Sequence, residues 1–104
     1  MKIIKCLSEK IKEELKDAEA YIDLAMEWKK DQPGAADLFA ELSKEEMGHV
    51  NKLHTVVTEL IEEYREENGE PPAGMLALYE YMHEQQTENA MLIKVKQKMY
   101  EEEE

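Results

Sequence analysis

The stretch LFAELSKEEMGHVNKL, residues 38–53, decides how this chain reads. Phe39, Leu42, Glu46, His49 and Leu53, continued by Val56 and Leu60, recur at alternating three- and four-residue steps. That period marks a helix packed along one side. Two positions of the stripe are not apolar but carry Glu46 and His49. An earlier stretch repeats the pattern with Leu7, Ile11, Glu14, Ala18, Tyr21, Ala25 and Trp28. An ionised Glu in such a seam costs several kcal/mol unless it is paired. A metal ion between Glu14, Glu46 and His49 would satisfy all three at once.

Working outward, the chain reads as all-α with three helices. The first is expected from about residue 3 to 30, with Ser8 available as a cap if the first turn is loose. Asp31-Gln32-Pro33-Gly34 breaks it: Asp31 can cap, and Pro33 suits a first helical turn. The second helix is expected over about residues 33–67. Asn68-Gly69 ends it, and Pro71-Pro72 prevents continuation and favours a new start. The third is expected over about residues 72–100, with Glu101–Glu104 as a frayed acidic tail. The two short connections make neighbouring helices antiparallel. Residues 1–104 thus form a single helical domain. Three long helices leave a bundle cross-section open, so the fourth position is expected from a second copy of the chain.

Bulk composition agrees. Charged residues make up 37% and hydrophobic residues 42% of the 104, a mixture that suits narrow helices with one buried face each. A formal charge of −12 argues against nucleic acid and anionic membrane surfaces as partners. It favours accumulation of cations. The single cysteine, Cys6, excludes an intramolecular disulfide and a four-cysteine zinc site. Residues Met1–Cys6 do not read as a signal peptide, and no apolar run approaches the roughly 18–20 residues of a membrane span. A cytoplasmic location is expected.

Glu-x-x-His by itself carries little weight, because 21 of 104 residues are Glu and the pattern occurs twice, at Glu46–His49 and Glu80–His83. Position separates the two. With the first hairpin pivoting near Gln32, Glu14 stands at nearly the height of Glu46 and His49, within roughly one turn, about 5 Å. Residues three apart project from one helix face. Glu46 could bridge two metals, His49 could cap one of them, and Glu14 could bind terminally from the facing helix. Dinuclear carboxylate sites in four-helix bundles use a Glu from each of two helices and Glu-x-x-His from each of the other two. This chain holds half of that set. Two chains about a two-fold axis would supply the whole, with iron(II) or manganese favoured by the mixed ligands and zinc also accommodated.

Glu14, Tyr21 seven residues later and Glu46-x-x-His49 resemble the first half of rubrerythrin and its ferritin-like relatives. The run Leu38-Phe39-Ala40-Glu41-Leu42-Ser43-Lys44-Glu45-Glu46 resembles the segment before their metal-binding Glu and His. The resemblance covers about residues 8–64. It implies a ferritin-like bundle with a non-haem di-iron centre at Glu14, Glu46 and His49, two ions per dimer, with Tyr21 near the metals. It also implies oxidation of iron(II) by oxygen or peroxide. In length the chain is similar to encapsulated ferritins, which complete their centre across a dimer. It lacks the cysteine pairs of a rubredoxin-like module and a second copy of the motif, and its tail does not resemble an encapsulin-targeting peptide.

Other residues have smaller expected roles. Asp17, one turn beyond Glu14, is a candidate entrance carboxylate for metal. Tyr21 and Trp28 are expected in the core, and Glu45 is expected to point away. His54 is expected on the surface. The third helix is expected to turn Leu76, Tyr79, His83, Gln86, Ala90, Ile93, Gln97 and Tyr100 inward, with Met75 and Met82 alongside. His83, Gln86 and Asn89 would form a polar layer that specifies subunit pairing. In a simple hairpin His83 should lie opposite residue 57, about 15 Å from Glu46. Glu80 and His83 are therefore candidates for a secondary metal site rather than part of the first. The expected function is a homodimeric or larger metal-binding, ferritin-like oxidoreductase; the alternative is a helical dimerisation or adaptor module without turnover.

Overall fold

The computed structural model describes residues 2–102. They form α1 (Lys2–Trp28), α2 (Pro33–Asn68) and α3 (Ala73–Glu102), a chain of helices running up, down and up. The principal extents are 55 × 18 × 17 Å. The radius of gyration of 16.6 Å exceeds the roughly 13 Å of a compact domain of this length, so the molecule is a rod. No helix is long and apolar enough to cross a membrane among the described residues.

The breaks form where proline and glycine demand them. Gln32 donates its N–H to the Trp28 carbonyl at 2.8 Å, and its own carbonyl accepts from Ala36 at 2.9 Å, which starts α2. Pro33 opens α2, where no amide donor is needed. Asp31 does not cap: Gln32 holds the cap position, and no side-chain hydrogen bond closes it. At the other end Gly69 adopts φ 78° and donates to the Arg65 carbonyl. A side chain there would be strained. The Pro72 carbonyl accepts from Leu76 at 3.0 Å to begin α3. Ser8 is no cap either; it lies buried inside α1.

In α1 the buried stripe is Ile4, Ser8, Ile11, Leu15, Ala18, Ile22 and Ala25, with steps of four and three throughout. In α2 it is Ala36, Ala40, Ser43, Met47 and Val50. Small residues dominate where the two helices meet, so the backbones approach closely. α3 packs into the groove between them through Ile93, Gln97 and Tyr100. One apolar cluster gathers Ile11, Leu15, Ala18, Met47, Val50 and Ile93; a second gathers Ile22, Ala25, Ala36, Ala40 and Tyr100. Between them, fully buried Ser43 donates to the Ala18 carbonyl at 2.7 Å and accepts from Gln97 Nε2 at 2.9 Å. This triple junction is the buried polar layer of the chain.

Several sequence expectations need correction. The buried stripe of α2 is rotated from Leu42, Glu46 and His49 towards Ser43, Met47 and Val50. Trp28 and Val56 are exposed by 40% and 42% rather than core residues. Leu7, Tyr21, Phe39, Leu42, Leu53 and Leu60 are half-buried. The acidic tail does not begin at Glu101: α3 continues through Glu102, and Glu101 pairs with Lys44. Glu103 and Glu104 lie outside the described residues. The inward face expected for α3 agrees at Ile93, Gln97 and Tyr100. Tyr100 donates its hydroxyl to Asp37 at 2.5 Å, and burial together with that bond pushes its pKa up to about 12.

Candidate metal centre

α3 touches the hairpin from one side. Its partners there are Ser8, Glu19 and Asp23 on α1, and Asp37, Ser43, Lys44 and His54 on α2. Glu14, Glu46 and His49 stand on the other side, away from α3. Glu14 arrives there because it precedes Leu15 by one residue and so sits at the margin of the buried α1 stripe. Glu46 and His49 sit in the same relation to Met47 and Val50. The antiparallel pairing of α1 and α2 brings the two margins to one height.

One ligand atom from each of the three residues falls within 4.8 Å of the others. His49 Nδ1 lies 3.3 Å from Glu14 Oε2 and 3.6 Å from Glu46 Oε2. Glu46 and Glu14 are the more sheltered, with side chains 18% and 26% exposed, against 54% for His49. The group is thus anchored at its base and open at its rim. Glu46 Oε2 is buried with no hydrogen-bond partner among the described residues. A buried carboxylate oxygen without a donor is rare and costly. Among the described residues no lysine or arginine pairs with it, and its ion-pairing neighbour is His49 at 3.6 Å. The donor set of two carboxylates and one imidazole suits a divalent transition ion.

The other candidate residues lie apart from this group. Tyr21 is half-buried two turns along the α1 stripe from Glu14, and its ring stacks on Phe39 at 6.4 Å between centroids. Asp17 is exposed, as is Glu45. Glu80 and His83 are on α3, on the far side of the hairpin. His83 meets His54, with 3.2 Å between His54 Nε2 and His83 Nδ1. The partner thus lies one turn from the expected residue 57, and His54 is half-buried rather than a surface residue. The polar layer expected on α3 is used within the chain: Gln86 donates to the Ser8 carbonyl at 3.3 Å, while Asn89 is exposed. His54 was not legible as a paired residue because its partner comes from 29 residues further on and depends on the α3 register.

Compared with known proteins, the chain matches no family model, no curated protein and no solved structure.

Proposed function

We propose that two copies of this chain meet across the open side of the α1–α2 hairpin and hold a dinuclear iron or manganese centre between them, in the manner of a ferritin-like protein. The buried Glu46 Oε2, which accepts no hydrogen bond among the described residues and has only His49 Nδ1 at 3.6 Å, carries this reading. Around it, the open face has the makings of an interface. Phe39 and Leu42 lie on one side of the ligand group along α2, and Leu53, Val56 and Leu60 on the other, all half-buried or exposed. Trp28 extends the stripe from α1. Paired copies would cover this stripe and close a four-helix arrangement from two hairpins.

In that dimer, Glu14 and Glu46 from each copy give four carboxylates, whose charge two divalent ions balance. Glu14, Glu46 and His49 of each copy would hold the ions. A bound centre would supply one-electron and oxygen chemistry, with iron(II) as the substrate and oxygen or peroxide as the oxidant. The chain's own part is to fix the ligands on rigid helices and to exclude bulk water with the flanking apolar side chains. Tyr21, on the same stripe, is placed to pass an electron or orient a ligand. The reaction belongs in the cytoplasm, where exposed Cys6 stays reduced.

The apolar stripe taken alone favours a metal-free association module, and metal stoichiometry separates the two. Protein purified without chelator and examined by elemental analysis and sedimentation should contain two iron or manganese ions per dimer. A metal-free dimer that takes up no iron(II) under anaerobic titration would leave the association module standing.

A further inference from the structure

The N-terminal half of α3 is held differently from the rest. No residue of α3 before Ile93 is fully buried, and a cavity of about 300 Å³ opens between this half, α1 and α2. Its walls include Ile4, Val57, Ile61 and Leu76, and its polar edge carries His54, His83 and Glu80. The two imidazoles form a contact between α2 and α3 at this level. Their nitrogens, 3.2 Å apart, are much nearer than the ring centroids, which are 4.9 Å apart, so the rings approach by their nitrogen edges.

That separation has a chemical meaning. Two imidazole nitrogens on one tetrahedral zinc ion, each at the usual 2.0–2.1 Å, stand roughly 3.3 Å from one another. The two nitrogens already stand at about that separation, joined by the hydrogen bond between the rings that an ion would replace. Glu80 precedes His83 by three residues, projects from the same face of α3 and borders the same cavity.

We propose that His54 and His83 form a second metal site for a zinc-class divalent ion that staples the N-terminal half of α3 to α2, with Glu80 swinging in from the cavity edge as a third ligand when the ion binds. Imidazole-rich ligation favours zinc, nickel and copper over manganese. The site is independent of the Glu14, Glu46 and His49 group. It is about 7.5 Å further along α2 from His49 and on the opposite side of the hairpin. Its role is to fix the least packed part of the chain.

The test uses full-length protein carrying Glu14→Gln and Glu46→Gln, which removes the first site's carboxylates. Added zinc should raise its melting temperature in a concentration-dependent way. The rise should vanish in a further His83→Ala variant, whose exposed position leaves the fold intact, and shrink with Glu80→Gln. Absence of any rise, or an equal rise with His83→Ala, would overturn the proposal. A second readout avoids the variants: in wild-type protein, zinc should shift the ring-proton resonances of His54 and His83 together, and a shift confined to His49 would contradict the site. Loss of the iron(II) or manganese response in the Glu14→Gln, Glu46→Gln protein bears on the first centre alone, so the two readings fail separately.

Discussion

The two sides of the α1–α2 hairpin have similar lengths of helix and opposite chemistry. The side under α3 buries Ile11, Leu15, Met47, Val50 and Ile93, and its most buried polar junction, Ser43 with Ala18 and Gln97, is hydrogen-bonded. The open side presents Phe39, Leu42, Leu53 and Leu60, all left half-buried. Its polar centre, Glu14, Glu46 and His49, leaves a buried carboxylate oxygen without a donor. On the proposed reading, a cation and a second hairpin would complete the open side.

Truncations on the two sides should therefore behave differently. Ile11→Ala, within the covered cluster, should lower the unfolding free energy by about 2–5 kcal/mol in urea denaturation. Leu42→Ala on the open side should cost the isolated chain only about 1 kcal/mol. It should also weaken self-association measured by sedimentation at micromolar concentration. Equal losses of chain stability would mean that the open side is not an interface.

The polar junctions give a second contrast. Ser43→Ala strands the Gln97 amide in the core and should destabilise by about 1–3 kcal/mol. Glu14→Ala does the reverse: it relieves an acidic cluster and should leave the metal-free protein more stable. A loss of stability in the metal-free Glu14→Ala protein would show that the carboxylate is structural.

The smallest effect lies at the end of the covered side. Tyr100 is raised to about 12, from burial first and its bond to Asp37 second. The unfolded tyrosine ionises near 10, so the unfolded state releases its proton first as pH rises. The stability contributed by protonated Tyr100 is complete below pH 10 and is lost towards pH 12. Alkaline melting curves should show this decline, and Tyr100→Phe should flatten it while losing the Asp37 bond at neutral pH.

The fold was legible in the sequence wherever backbone chemistry decided it. Pro33, Gly69 and the Pro71-Pro72 pair set the helix ends to within one or two residues, and the inward face of α3 followed from its period at Ile93, Gln97 and Tyr100 but not at His83, which is exposed. Which stripe of α1 and α2 is buried was less legible. Ala18, Ala25, Ala36, Ala40 and Ser43 carry little hydrophobic signal, yet their small size lets the helices close together. The bulkier Leu42, Leu53 and Val56 draw attention to the side a single chain leaves open. The convergence of Glu14 with Glu46 and His49 followed from hairpin height alone. His54 with His83 did not, because a register one turn different moves the partner, and no pattern near His54 records it.

The central claim is that Glu14, Glu46 and His49 converge because a cation belongs between them. The most direct measurement is the melting temperature of wild-type and Glu46→Gln protein, each stripped of metal and then titrated with iron(II) without oxygen, or with manganese(II). The account predicts a rise that grows with metal concentration in the wild type and is lost in Glu46→Gln, whose metal-free form melts no lower than the stripped wild type. A wild-type protein indifferent to both ions, or an undiminished response in Glu46→Gln, would contradict it.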